Sequence, residues 1–96
     1  MLSGKQRSYL TQQSQKLKPI VYIGKNGPTE SAMQAVETAL LHHELLKIKF
    51  VDMKELKKEI SVAICEKAHC ELVRVIGNIA IVYRENPDTR HYRLPA

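Results

Sequence analysis

The stretch Ile20-Val21-Tyr22-Ile23-Gly24-Lys25-Asn26-Gly27-Pro28 joins a short apolar segment to a loop bounded by glycines. Residues 20–23 are β-branched or aromatic, which predicts a strand that is apolar and buried on both faces. The glycines end this strand, and Pro28 suits the first position of a helix that follows. The stretch therefore predicts a strand, a tight loop and a helix N-terminus in direct succession.

The segment before this strand predicts a first helix, over residues 4–17. Ser3 followed three residues later by Gln6 is a capping-box pattern, and Pro19 stops the helix. The apolar content of this helix is thin, so it should bury a narrow stripe and expose a wide polar face that carries only positive charges.

Two further helices are predicted after the loop. Residues 28–43 place apolar side chains at spacings of three and four, which is typical of a helix with one buried face. Asp52 with Glu55 marks the start of a third helix, over residues 53–68, whose inward side chains include Leu56.

Three further strands are predicted beyond residue 44. One alternates apolar residues with Lys47 and Lys49, which gives it a core face and a basic face. The last two are joined by Gly77-Asn78, a hairpin turn that favours positive φ. All four predicted strands cover residues 20–23, 45–51, 72–76 and 79–84.

The predicted order of elements is αβαβαββ. Strands separated by a helix join in parallel through right-handed crossovers, and the last two strands pair as an antiparallel hairpin. We therefore expect an α+β fold with a mixed four-stranded sheet and packed helices. A chain of 96 residues forms one domain, 1–96, in which residues 85–96 are a C-terminal tail.

The positive charge is concentrated at the start of the chain. The formal net charge is +5, yet from Glu30 onward there are ten Lys or Arg and ten Asp or Glu. The acid-free residues 1–29 hold the whole excess, as Lys5, Arg7, Lys16, Lys18 and Lys25. A one-sided basic excess points to a polyanionic partner, usually nucleic acid, although a solvated face is the simpler alternative.

The loop Gly24-Lys25-Asn26-Gly27 is a candidate phosphate cradle. Glycines let the backbone approach a ligand, and N–H groups at a helix N-terminus favour anions. KH domains clamp a nucleic-acid backbone with a G-x-x-G loop. If the first helix packs beside this loop, its cations converge there. The alternative is a plain tight turn.

Three tyrosines could stack on RNA bases: Tyr22, Tyr83 and Tyr92. The first two lie in predicted strands, where packing in the core explains an aromatic residue at least as well as base stacking does.

Cys65 and Cys70 flank His69 but do not predict a metal site. Zinc sites usually combine two close ligand pairs, and a disulfide requires an oxidising context. We expect Cys65 to be a buried thiol in a reduced, cytoplasmic protein. No apolar run approaches the ~20 residues of a membrane span.

The triplet His42-His43-Glu44 does not predict catalysis. It lacks the H-E-x-x-H spacing of zinc proteases, and histidines at a helix C-terminus are explained by the helix dipole. We expect no catalytic residue, no metal, no cofactor and no small-molecule substrate.

An ordered series of short motifs gives the sequence a family resemblance. It resembles the CRM domain family, named for chloroplast RNA splicing and ribosome maturation, in its stand-alone bacterial YhbY-like form. The resemblance implies a two-layer α/β fold similar to the C-terminal domain of translation initiation factor 3. It also implies RNA binding through the G-x-x-G loop and association with precursors of the large ribosomal subunit. The motifs are Lys18-Pro19, Gly24-Lys25-Asn26-Gly27, Thr29-Glu30, Ala39-Leu40, His42-His43-Glu44-Leu45, Lys47-Ile48-Lys49, Val75-Ile76-Gly77 and Val82-Tyr83-Arg84.

Together these observations predict a non-catalytic, monomeric RNA-binding protein that acts on ribosomal RNA during large-subunit assembly. The alternative is a module that docks on a ribosomal protein and uses its basic residues for steering only. The expected RNA contacts are Gly24, Lys25, Asn26 and Gly27 in the loop, Lys5, Arg7, Lys16 and Lys18 before it, and Lys47, Lys49 and Arg84 as an extension.

Overall fold

The computed structural model describes residues 2–52, 55–88 and 90–95, and in that part of the chain it has three helices and four strands. The helices are α1 (Gly4–Ser14), α2 (Glu30–His42) and α3 (Lys57–Ala68). The strands are β1 (Val21–Ile23), β2 (Leu45–Phe50), β3 (Glu71–Ile76) and β4 (Ile79–Tyr83). The predicted order αβαβαββ is confirmed. No helix of the described residues is long and apolar enough to cross a membrane.

The strands form one mixed sheet in the order β1-β2-β4-β3. β1 is parallel to β2, and β4 is antiparallel to both β2 and β3. The crossover through α3 therefore skips one position, which β4 fills. The loop after β1, the end of β2 and the β3–β4 hairpin all lie at one end of the sheet, which we call the loop end. There Phe50 N–H donates to the Asn78 carbonyl and Val51 N–H to that of Ile23, each at 2.8 Å.

The larger core lies between one face of the sheet and helices α2 and α3. Leu46, Ile48 and Phe50 point into it and are at most 1% exposed, as the alternation of β2 predicts. The apolar stripe predicted for α2 packs on the same core and comprises Ala32, Met33, Val36, Ala39 and Leu40.

A second core lies on the opposite face, under α1 and the C-terminal segment. Leu10 of α1 is fully buried there with Leu45, Val73 and Ile81 of the sheet. The mixed four-stranded α+β fold is confirmed. The two-layer description has to be corrected, because α1 adds a third, partial layer. The likeness to initiation factor 3 stays a prediction.

Strand β1 is buried on one face only, so the prediction of a strand buried on both faces is wrong. Tyr22 is 57% exposed, as is Ile20 just before the strand at 51%, because β1 is an edge strand and no helix of the described residues covers the outer face beside it.

Helices α1 and α2 are shorter than predicted. The capping box is present, with the Ser3 hydroxyl accepting from Gln6 N–H and the Gln6 side chain accepting from Ser3 N–H, but α1 ends at Ser14. Helix α2 begins at Glu30 because the Thr29 hydroxyl accepts from Ala32 N–H. Pro28 therefore precedes the helix instead of opening it.

The predicted start of α3 is also wrong. Asp52 and Leu56 have left-handed φ angles of 58° and 65°, so the chain cannot be helical there, and α3 begins at Lys57. The intervening residues 53 and 54 lie outside the described residues. Leu56 is 63% exposed instead of inward. At the β3–β4 hairpin, Gly77 has a φ of 57° and the strands pair directly on either side of the turn.

Candidate nucleic-acid interface

The loop Gly24–Gly27 leaves the sheet at the loop end and leads into α2. Gly27 N–H donates to the Gly24 carbonyl at 2.9 Å, and Thr29 N–H donates to the Gly27 carbonyl at 2.9 Å. Gly27 has a φ of 77°, which favours glycine. Gly24, Lys25 and Asn26 are exposed at the tip. The turn is therefore held by two main-chain hydrogen bonds and is open to solvent.

Gly24 has no comparable structural reason to be glycine. Its φ lies outside the left-handed region, and a Cβ built on it would meet no heavy atom within 4 Å among the described residues. Neither backbone strain nor internal packing requires a missing side chain here. What the missing side chain does provide is room for a ligand to reach the main chain.

The N-terminus of α2 adds only a weak attraction for anions. One first-turn N–H, that of Ala32, is already bonded to Thr29 at 3.2 Å. Glu30 places a carboxylate in the first turn, and its negative charge partly neutralises the positive end of the helix dipole. Lys25 and its neighbours must therefore supply most of the positive potential at the loop.

Lys47 and Lys49 lie on the same face of the sheet as α1. The Lys47 ammonium donates to the Leu17 carbonyl at 3.1 Å, so the main chain between the exposed residues Lys16 and Lys18 lies beside it. Lys49 is exposed and pairs across the strands with Tyr22, two residues before the loop. Five cations thus surround the outer side of β1 and β2. We call them the lysine patch: Lys16, Lys18, Lys25, Lys47 and Lys49.

Arg7 and Lys5 are not brought to the loop. The Arg7 guanidinium donates to the main-chain carbonyls of Leu72 at 2.7 Å and Val73 at 3.2 Å, on edge strand β3. Strands β1 and β3 are at opposite edges, about 14 Å apart at the usual strand spacing. Helix α1 packs on β2 and β3, so the condition for its cations to converge on the loop, packing of the first helix beside it, is not met.

Arg84 lies at the other end of the sheet from the loop. Its guanidinium donates to the Ala68 carbonyl at the end of α3 and to the Glu37 carboxylate on α2, each at 3.0 Å. It thus ties the middle of α2 and the C-terminal end of α3 to the end of β4. Its placement separates it from the lysine patch that it was expected to extend.

Glu44 is a structural residue that the sequence analysis missed. It is 4% exposed, and its carboxylate accepts main-chain N–H groups from Asn86 at 2.7 Å, from Tyr92 at 3.3 Å and from His91. It therefore fastens the C-terminal segment to the start of β2. Burial, with Glu44 nearby, raises the pKa of Tyr83 and of Tyr92. The sequence signal for this role was a single acidic residue placed directly before the apolar strand β2.

The two thiols lie together at the C-terminus of α3. Cys65 is buried as expected and Cys70 is half-buried, and both are reduced. Their side chains share a hydrogen bond, which lowers the pKa of Cys70, with Arg84 adding to the effect. The same bond and burial raise the pKa of Cys65.

Comparison with known proteins agrees with this geometry. Residues 2–84 match the sequence model of the CRS1/YhbY (CRM) domain, which covers the helices, the sheet and the G-x-x-G loop. The chain belongs to the CRM domain family. The family resemblance drawn from the short motifs is therefore confirmed.

Some relatives of this CRM domain are bacterial proteins that it covers over almost their whole length. YqeI of Bacillus subtilis, named a probable RNA-binding protein, is 30% identical over 96 residues, covering 99% of this chain and 100% of YqeI. An RNA-binding protein of Haemophilus influenzae is 37% identical over 90 residues, covering 93% and 91%. The solution structure of SAV1595 from Staphylococcus aureus, for which RNA binding has been suggested, matches with a TM-score of 0.87 and 34% identity, covering 99% of this chain and 100% of SAV1595.

Proposed function

We propose that this CRM domain is a non-catalytic RNA-binding protein that holds phosphates at the Gly24–Gly27 loop and on the lysine patch. The observation that carries the proposal is Gly24, which is exposed and has no reason within the fold to lack a side chain. Lys25 follows it directly and Lys49 lies on the neighbouring strand, so a backbone that approaches Gly24 meets cations at once.

We extend the proposal to ribosomal RNA in precursors of the large subunit, bound by a monomer in the cytoplasm. Support comes from the resemblance to YhbY-like members and from relatives that are named for RNA binding. The rival proposal, docking on a ribosomal protein, uses the same basic surface for steering only.

The test compares charge reversals that share a scaffold but differ in position. Fragments of large-subunit ribosomal RNA are titrated with wild type, with Lys25→Glu combined with Lys49→Glu, and with Lys67→Glu as the matched control. Lys67 is exposed in the last turn of α3, on the helical layer behind the sheet. We expect saturable binding that the double variant loses and the control keeps. An excess of duplex DNA should compete poorly.

Either of two results would argue against the proposal. If wild type fails to bind bare RNA but binds purified large-subunit proteins, the docking alternative is favoured. If all three proteins bind RNA equally, the loop and patch are not the contact surface. Thermal unfolding controls for folding, because surface substitutions usually change stability by less than about 0.5 kcal/mol.

A further inference from the structure

A row of side chains crosses the outer face of the sheet next to the loop end. Tyr22 pairs with Lys49, Lys49 with Ile79, and Ile79 with Ile76, so one residue from each strand stands in line. Three strand spacings make this row about 14 Å long. We call it the open row.

Helix α1 leaves Tyr22, Lys49 and Ile76 of the open row exposed, while Ile79 is half-buried at the border of the second core. Ile81, one step further from the loop end, is only 2% exposed because it lies in the core under α1. By contrast Tyr22 is 57% and Ile76 51% exposed, and beside the row Ile20 is 51% exposed. The sheet face is thus divided into a packed half and an apolar half that faces solvent.

The charges on and beside the open half are positive. Lys49 is in the row itself, and Lys47 and Arg74 occupy the next positions toward α1, both paired with Ile81. None of the residues at these positions is acidic. An exposed face with apolar and cationic groups interleaved is suited to a ligand that is both flat and anionic. A nucleotide chain has that chemistry.

We propose that the open row is a platform for unpaired nucleotides of the bound RNA, with one base stacked on Tyr22 and its backbone directed to Gly24 and Lys25. This inference rests on the proposed RNA binding and adds that the bound segment is single-stranded. The Tyr22 hydroxyl reaches the Pro19 carbonyl at 3.5 Å, which orients the ring along the start of β1.

The geometry selects single-stranded over duplex RNA. In a duplex the bases are stacked on one another, and an A-form helix presents mainly its backbone and shallow groove to a protein. The Tyr22 ring on the sheet surface can stack only on a base that is unpaired and no longer stacked inside an A-form helix. Four-stranded sheets of other RNA-binding modules hold two or three splayed bases on their aromatic residues.

The test uses two labelled RNA probes: an unstructured strand of about ten nucleotides, within the site sizes of small single-strand binders, and a hairpin duplex. Both are titrated against wild type, Tyr22→Ala, Tyr22→Phe, Lys25→Glu and Leu41→Ala. Leu41 is a matched control because it is 60% exposed near the C-terminal end of α2. A single strand with 5-iodouridine, which crosslinks to aromatic rings it stacks on, identifies the contacted residue by mass spectrometry.

We expect wild type to prefer the single strand and to crosslink at Tyr22. Tyr22→Ala should weaken single-strand binding by about 5- to 150-fold, the usual loss for one base–aromatic stack. Tyr22→Phe and Leu41→Ala should bind like wild type. If Tyr22→Ala binds like wild type while Lys25→Glu does not, the platform is refuted and RNA binding at the loop stands. A preference for the duplex also refutes the platform. If wild type binds neither probe, the proposed function falls with it.

Discussion

The salt dependence of RNA binding should report only those cations that the fold leaves on one surface. Of the eight Lys and Arg residues that the sequence nominates, Arg7 and Arg84 donate to main-chain carbonyls away from the loop, and Lys5 lies two residues before Arg7. The five residues of the lysine patch remain. For a single strand each neutralised phosphate contributes about −0.7 to the slope of log K against log salt, so the patch gives at most about −3.5, whereas all eight would give about −5.6.

A titration at several salt concentrations distinguishes these two slopes by the loss of RNA affinity that each predicts. Between 50 and 200 mM salt, affinity should fall by about 100-fold for the patch, against about 2,000-fold if all eight cations contact phosphate. Fluorescence anisotropy with one labelled single strand, repeated at four salt concentrations, gives the slope directly. Lys25→Ala should make it shallower by about 0.7, because one phosphate contact is lost. Lys67→Ala, on the other layer, should leave it unchanged.

The reasoning would be refuted by a wild-type slope steeper than about −5, because cations outside the patch would then have to take part. It would equally be refuted if Lys25→Ala lowered the affinity for RNA but had the same salt slope as wild type. That second result would mean that Lys25 shapes the loop and does not pair with phosphate.

Three further predictions concern single residues. Gly24→Ala should weaken RNA binding without lowering the melting temperature, whereas Gly27→Ala should destabilise the fold by about 1–2 kcal/mol because its φ is left-handed; equal melting temperatures for the two variants would contradict this. Glu44→Gln should cost about 1–3 kcal/mol and release the C-terminal segment, seen as faster hydrogen exchange at Asn86 and Tyr92, because an amide cannot accept on both of its atoms; unchanged exchange would show that the segment is held by apolar contacts alone. Cys70 should react with iodoacetamide before Cys65 at neutral pH, because its lowered pKa gives more thiolate; the reverse order in peptide mass mapping would disprove that pKa assignment.

The fold was predictable where a local pattern decides the outcome. The alternation of β2 and the apolar spacing of α2 each have a single arrangement that buries the apolar side chains, and both are confirmed. The prediction of structure failed where the burial or backbone of a segment depends on the elements packed beside it. The apolar strand β1 was expected to be covered on both faces, but it is an edge strand and α1 packs on β2 and β3 instead. The sequence of β1 contains no information on how far α1 extends across the sheet. Leu56 resembled a helix residue in sequence, but its left-handed backbone keeps it out of α3, which begins one residue later at Lys57.

The candidate site was predictable as a loop but not as a surface. The G-x-x-G motif locates the turn, because the left-handed φ of Gly27 favours glycine. Whether a cation reaches that turn depends on side chains that meet only in the folded chain. Arg7 is charged and early in sequence like Lys16, yet the carbonyl groups of edge strand β3 hold it at the far side of the sheet.

The thin apolar stripe of α1 connects these observations. Because α1 buries mainly Leu10, with Tyr9 partly covered, it can shield only the half of the outer face that holds the second core. The strands continue past it, and their alternation then brings Lys49 to the uncovered half, with Lys47 at its border. A more apolar α1 would cover that half and bury those ammonium groups at a high cost in free energy. The polar composition of the first helix is therefore what keeps a cationic sheet face open beside the loop.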